Sequence, residues 1–401
     1  MPVLNSNIIT APGTYISENT AGLIPAGLAT FNRCYLIGSS PLGTVNTPTQ
    51  VTSLTDFINQ FGTAALLDPG RVTLNAVNLF FRNYQNGVLF FVRVTAVGTV
   101  PTKNEYVATI ANSFDPDFHS QGFLICPEAF ASLAVQGDRT SMAVAMENQA
   151  SLEGFDWMAI ADSNLGTDTT AKAQIEGLLY TTARGHLAYF FNYLKDLEDN
   201  LVPPSAAIAA IGLRRFAEQG FNQPPAGGQY PVRGVQDVQF KVTKAHQSTL
   251  NPLGINAIRY FPGKGVLIYG SRTRSTDPYY KFINTRIILN VLIGSLRGEF
   301  DNLVFSAVDG QGVLFTRIRE TAESTCYTLW DGGALFGASP EEAFAVICGR
   351  ANNPAIDLEQ GIVRCDVYVA PSPTMERLFI SVTRTAIGQV QAVVTGLQQG
   401  A

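Results

Sequence analysis

The amino-acid sequence predicts an α/β (α+β) protein of several units, and three observations carry that prediction. The stretch FDWMAIAD (155–162) is nearly all apolar, which marks a strand covered on both faces. Segments of helical spacing alternate with such strands through the middle of the chain, the pattern of layered α/β proteins. Proline- and glycine-rich segments, above all NQPPAGGQYPVRG (222–234), interrupt the alternation and mark loops or hinges. At roughly 150 residues per domain, 401 residues suggest two or three domains.

The chain opens with an arm, 1–27, that cannot bury its own apolar side chains. Ile8-Ile9 and Tyr15-Ile16 are its strand signals, and Gly22, Pro25 and Gly27 dissolve the pattern. A first unit follows over 28–105. Phe31 and Tyr35-Leu36-Ile37 supply a strand, and Thr52 or Ser53 caps a helix carrying Leu54, Phe57, Ile58 and Phe61. Residues 71–85 hold helical spacing, and NGVLFFVRV (86–94) is a buried strand behind an Asn-Gly turn.

A second unit, 106–250, repeats strand and helix. GFLICPEAF (122–130) reads as a strand ending in a proline turn, 141–150 as a helix, 155–162 as a strand and 169–184 as a helix. HLAYFFNYL (186–194) is a further buried strand. A third unit, 251–376, starts around GKGVLIYGSRT (263–273) and continues with helices over 280–300 and 313–330. Strands FAVICGR and VRCDVYVAP follow. RLFISVTRTA, within a last arm at 377–401, alternates Leu378, Ile380 and Val382 with Phe379, Ser381 and Thr383.

Composition excludes several classes. Charged residues are 15% against a usual figure of about 25%, which points to surface covered by other protein. The net charge is -5 and no basic run stands out, so nucleic acid is not an expected partner. Five scattered cysteines without a CxxC pair fit neither a disulfide framework nor a zinc site. The start MPVLNSNIIT lacks the basic and apolar regions of a signal peptide, and no apolar run reaches the ~18 residues of a membrane span. A soluble protein made in a cytoplasm is expected.

Catalytic patterns are missing. His119, His186 and His246 stand far apart, outside any HxxxH or HExxH pattern. Asp162-Ser163-Asn164 ends a buried strand, but Asn at 164 breaks a DxSxS metal site, and a turn cap is the plainer reading. Gly263, Gly265 and Gly270 miss GxGxxG, and Lys264 is not followed by Ser or Thr. Ser339-Pro340-Glu341-Glu342 is a helix start. No cofactor and no metal are expected, and the chain reads as a non-enzyme. The competing class is an α/β hydrolase using Asp162 or Ser163, which would form a small closed oligomer instead of a polymer.

Motifs in order along the chain carry a resemblance. Near the start stand Pro12-Gly13-Thr14-Tyr15, then Gly38, Gly43, Asn46, Pro48, Thr52-Ser53, Asp56-Phe57 and Phe61-Gly62. VPPSAAIAAIGLRRFAEQGFNQPPAG (202–227) follows. The densest run is LNPLGINAIRYFPGKGVLIYGSRT (250–273), with Asn251, Gly254-Ile255-Asn256, Ile258-Arg259, Tyr269-Gly270 and Arg272-Thr273. Asp277-Pro278, Asn284, Arg286, Gly332-Gly333-Ala334-Leu335, Pro340 to Phe344 and Val369-Ala370-Pro371 continue it. This set resembles the contractile tail sheath proteins. It departs from them at Ala206, where Gly is usual, and at Phe221-Asn222-Gln223, where Trp-Lys is frequent.

The resemblance implies a sheath subunit that stacks with itself in six-fold helical rings around an inner tail tube protein and contracts to drive the tube through an envelope. Baseplate and tail terminator proteins would be further partners, without direct membrane insertion. The particle would be a virion tail assembled in the host cytoplasm or, alternatively, an injection device carrying protein effectors. In this reading 106–250 is the outer domain and 251–376 the inner one. The arms exchange strands between subunits through Ile8, Ile9, Tyr15 and Ile16 at one end and Leu378, Phe379, Ile380 and Val382 at the other. Lys281, Arg286 and Arg297 are the expected tube-facing cations.

Overall fold

The computed structural model describes residues 28–64, 70–94, 100–176 and 184–380. Ile8, Ile9, Tyr15 and Ile16 lie outside the described residues, as does Val382.

Strand β1 (Arg33–Gly38) opens the body, and the short strand β2 (Thr49–Val51) leads into helix α1 (Leu54–Phe61). Ser53 fixes the start of α1, its hydroxyl accepting the Asp56 N–H at 3.0 Å. Helix α2 (Gly70–Asn83) and strand β3 (Val88–Arg93) follow, β3 pairing parallel to β1 and antiparallel to β2. Helix α3 (Lys103–Asn112) begins with a capping box between Thr102 and Glu105.

Strand β4 (Gly122–Ile125) runs not into the expected turn but into helix α4 (Pro127–Ser132). Pro127 sits in the first turn, where its missing N–H costs nothing, and so starts a helix. Helix α5 (Gln136–Ser151), strand β5 (Met158–Asp162), helix α6 (Asp168–Glu176) and strand β6 (Leu187–Phe191) complete the alternation. Strands β7 (Leu194–Asp196) and β8 (Leu201–Val202), helix α7 (Ser205–Gln219) and strand β9 (Val235–Val238) come next, the three strands forming a small antiparallel sheet. Helix α8 (Lys244–Leu250) precedes the hairpin of β10 (Ile255–Phe261) and β11 (Gly265–Ile268).

One eight-stranded sheet orders these strands β11-β10-β6-β5-β4-β1-β3-β2, parallel from β3 to β10 and antiparallel at both edges. It passes through the positions expected to divide the first three units: β4 pairs with β1, and β10 with β6. Every residue of β4, β5 and β6 is buried, as strands covered on both faces must be.

Side chains alternate between the faces with period two. Cys34, Leu36, Phe123, Ile125, Met158, Ile160 and Phe190 join one core with residues of α2 and α7. Tyr35, Ile37, Leu124, Ala159, Tyr189 and Phe191 join another with Tyr106 and Ile110 of α3 and Met142 and Met146 of α5. Trp157 stacks on Tyr35 at 4.2 Å in this second core.

The C-terminal part holds helix α9 (Ile283–Asp301), helix α10 (Val313–Asp331), the short helix α11 (Pro340–Ala343), strand β12 (Phe344–Ile347), helix α12 (Ala355–Glu359) and strand β13 (Asp366–Val369). Ile283, Ile287, Ile288 and Val291 of α9 enter the first core. Strands β12 and β13 form a separate antiparallel pair, and no third strand joins it among the described residues. Residues 377–380, the described start of RLFISVTRTA, lie in no strand.

Candidate functional site

The motif residues of the densest match converge on one place, the root of the C-terminal segment. Gly254 ends a 3-10 turn at φ +69, and a Cβ there would sit 3.0 Å from the Thr273 carbonyl oxygen. This turn delivers Asn256 to β10, fully buried. The Asn256 amide donates to the carbonyls of Tyr189 at 3.2 Å and Arg272 at 2.6 Å, while its oxygen accepts the Arg272 N–H at 2.6 Å. Gly270 makes room for it, since a Cβ there would fall 2.8 Å from the Asn256 Cα.

Asn256 thus fixes the backbone of Arg272, whose guanidinium turns to the C-terminal segment. Arg272 donates from Nε to Glu376 Oε1 at 2.8 Å, from Nη2 to Oε2 at 2.5 Å, and from Nη1 to the Asn251 carbonyl at 2.8 Å. This is a two-point Arg–carboxylate pair, the geometry that combines charge with direction. Burial pushes the Glu376 carboxyl up, but the hydrogen bonds and charge of Arg272 outweigh it and hold the group below its ordinary value.

Asn284 at the start of α9 grips the same segment. Its amide donates to the Ser372 carbonyl at 3.0 Å and its oxygen accepts the Thr374 hydroxyl at 2.5 Å. On the other side Ser372 donates its N–H to the Ala334 carbonyl and its hydroxyl to the Gly333 carbonyl, both at 2.9 Å. The Phe336 N–H reaches the Ala370 carbonyl at 2.7 Å. Residues 370–376 are therefore strapped to three motif sites, and the chain beyond them is exposed: Leu378 at 68%, Phe379 at 88% and Ile380 at 75%.

Beside the strap, β12 and β13 keep both outer edges unpaired among the described residues. Ile347 and Tyr368 project outward from them, half-exposed. A shallow groove between α10 and β12 is lined by Glu320, Tyr327, Phe344 and Val346.

The three expected cations part company. Arg286 is a correction: it is buried, donates to Asn290 Oδ1 at 2.7 Å and to the Arg184 carbonyl at 3.3 Å, and lies over the Tyr280 ring. Burial pulls its pKa down to about 10. Its position on the helix turns it inward, so it presents no charge to a surface. Arg297 pairs with Asp156 at 2.9 Å and remains partly exposed. Lys281 is half-buried, with its ammonium 5.3 Å from the Phe282 ring centre.

The groups weighed for catalysis serve the scaffold. Asp162 is buried and accepts the Ser205 N–H at 2.8 Å and its hydroxyl at 2.5 Å, so it holds the start of α7 and not its own turn. Burial raises its pKa to about 7, against those hydrogen bonds. His186 contacts the Trp157 carbonyl at 2.9 Å, and burial, then the Arg286 charge, lowers its pKa to about 4. His246 belongs to the capping box of α8, and His119 packs against Tyr35 and Phe114. Glu128, unremarked in the sequence, is a buried anchor accepting from the Ser39 N–H, Thr73 and Tyr106 at 2.8, 2.5 and 2.6 Å. Its only signal was an acid behind a helix-starting proline. Among the described residues no group of His, Cys, Asp or Glu is placed to hold a metal, and no helix is long and apolar enough to cross a membrane.

No family model matches the chain. The tail sheath protein of Vibrio phage KVP40 is 24% identical over 274 residues, 66% of this chain and 36% of that protein. The chain thus spans about a third of the length of that relative. The contracted helical sheath of the anti-feeding prophage shares the fold at a TM-score of 0.73 and 22% identity, covering 94% of this chain and 100% of the other. The contracted sheath of the extracellular contractile injection system PVC does so at 0.70 and 20%, covering 94% and 98%. Along nearly its whole length the chain therefore shares the fold of contractile sheath subunits, and over 66% of its length it is similar in sequence to a phage tail sheath protein.

Proposed function

We propose that the chain is a structural, non-enzymatic sheath subunit that polymerises around an inner tube and contracts to drive it through a target envelope. The observation that carries this reading is the strap: 370–376 is held at three sites while Leu378, Phe379 and Ile380 stand exposed beyond it. A segment anchored at its root and apolar at its exposed end suits a strand donated to a neighbour. The two-stranded sheet of β12 and β13, unpaired at both edges among the described residues, is the acceptor this reading requires. Arm residues Ile8, Ile9, Tyr15 and Ile16 would add from the other end, and Val382 would extend the C-terminal strand.

Stacking into six-fold rings, contact with tube, baseplate and terminator proteins, the outer place of 106–250, the inner place of 251–376 and residence in a virion tail belong to the same proposal. Lys281 and Arg297 remain its tube-facing cations. A second reading, a sheath that delivers protein effectors, is favoured by the matched solved chains, which come from the anti-feeding prophage and PVC and are covered almost completely.

Deleting 1–20, or separately 377–401, should leave a folded monomer with near-unchanged circular dichroism that forms no tubes under the electron microscope. Normal tubes from either deletion would remove that arm from the mechanism, and tubes from both would sink the strand-exchange reading.

A further inference from the structure

The open two-stranded sheet ends in a pair of thiols. Its register pairs Phe344 with Val369, Val346 with Val367 and Ile347 with Asp366, so the next opposed pair is Cys348 and Cys365. The Ala370 N–H bonds the Ala343 carbonyl, which makes that opposed pair a mutually hydrogen-bonded one. Pairs alternate along an antiparallel ladder, so 344/369, 346/367 and 348/365 are of the other kind, with Cα atoms about 4.5 Å apart and side chains closest. That spacing falls within the range of about 4.4–6.8 Å that a disulfide needs. Both side chains share the inward face with Phe315 and Ile318 of α10, Cys348 buried and Cys365 partly exposed. The strand ends are already pinned: Asn353 donates to the Arg364 carbonyl at 3.0 Å and accepts the Arg364 N–H at 2.6 Å, while Asn352 donates to the Ile347 carbonyl at 2.8 Å. No large backbone movement separates the thiols from a bond.

We propose that Cys348 and Cys365 form a cross-strand disulfide by exchange with a small-molecule disulfide when the protein meets an oxidising medium, locking the end of the β12–β13 sheet. The partly exposed Cys365 attacks first as thiolate, giving a mixed disulfide and releasing one small thiolate. Cys348, deprotonated in turn, attacks the Cys365 sulfur and expels the second. Two protein thiols are oxidised, one small disulfide is reduced to two thiols, and the protons leave through water. Burial holds both protein thiols up, Cys365 to about 12, so the exchange is slow near neutrality and quickens as pH rises. The bond concerns the isolated chain and does not depend on assembly.

The full-length reduced chain, incubated with oxidised glutathione at mildly alkaline pH, alkylated and digested, tests this by mass spectrometry. Two of the five thiols should be lost to alkylation, in one linked peptide joining 348 to 365. Cys348→Ser should abolish the link and leave a glutathione adduct on Cys365, Cys365→Ser should abolish the link, and Cys326→Ser should keep it. The wild-type mapping stands even where a variant folds poorly. Five alkylatable thiols after exchange, or a link from Cys365 to Cys326 on α10, would overturn the assignment.

Discussion

Two sheets in this molecule differ in how finished they are. In the eight-stranded sheet, β4, β5 and β6 bury every residue, with helices on both faces. In the two-stranded sheet, β12 and β13 alternate half-buried with exposed residues and cover one face only. A lone two-stranded ribbon is marginal in water, so the second sheet owes its order to α10 behind it and to the turn at Gly333–Leu335. Among the described residues the first sheet is paired across eight strands, and the second stops at two.

The sharpest way to break that contrast is a pair of truncations. Trp157→Ala in the large core should cost about 3–5 kcal/mol in urea unfolding. Tyr368→Ala in the small sheet should change monomer unfolding by less than about 0.5 kcal/mol yet suppress tube formation. Equal destabilisation by both would show the small sheet to be as self-sufficient as the large one.

A smaller effect is expected at the strap. Arg272→Ala removes the charged hydrogen bonds to Glu376 and should weaken the segment by about 1.5–3 kcal/mol, seen as faster hydrogen exchange at the Ser372 amide. Acid should mimic it. The Glu376 pKa is depressed in the folded chain, so its contribution is present above the ordinary carboxylate range and is lost as pH falls through the folded value. Unchanged Ser372 exchange in the variant would show that Asn284 and the Gly333–Ala334 carbonyls hold the strap without Arg272.

A further effect has the opposite sign. Asp162 has its pKa raised to about 7, so the folded state holds its proton more tightly than the unfolded one. Its contribution therefore falls as pH rises from about 4 towards 7. Asp162→Asn should flatten that slope in thermal unfolding while keeping an acceptor for Ser205. A slope unchanged by the substitution would assign it to another group.

The large sheet was legible where a strand is apolar throughout, as at 155–162 and 186–194, because burial on both faces leaves a local mark. The order of its strands was not. Parallel pairing of β10 with β6 across the loop 222–234 joins segments far apart in the chain, and no local pattern records it. Arg286 was misplaced for a related reason: its charge suggested a surface, while Asn290 one turn on was the partner that allowed it inside. The strap was visible only as separate motif letters. Arg272, Asn284 and Gly333 reveal a shared task only when Glu376 and Ser372 are laid across them.

The strap also defines a load path. Tension applied beyond Glu376 passes to the Arg272 guanidinium, and through its backbone to Asn256. The Asn256 amide is bonded to Tyr189 of β6, so the pull arrives in the interior of the eight-stranded sheet. The small sheet, with its two strands, is bypassed. A force that would peel a hairpin apart one bond at a time is instead spread over the strands that the rest of the fold holds most firmly.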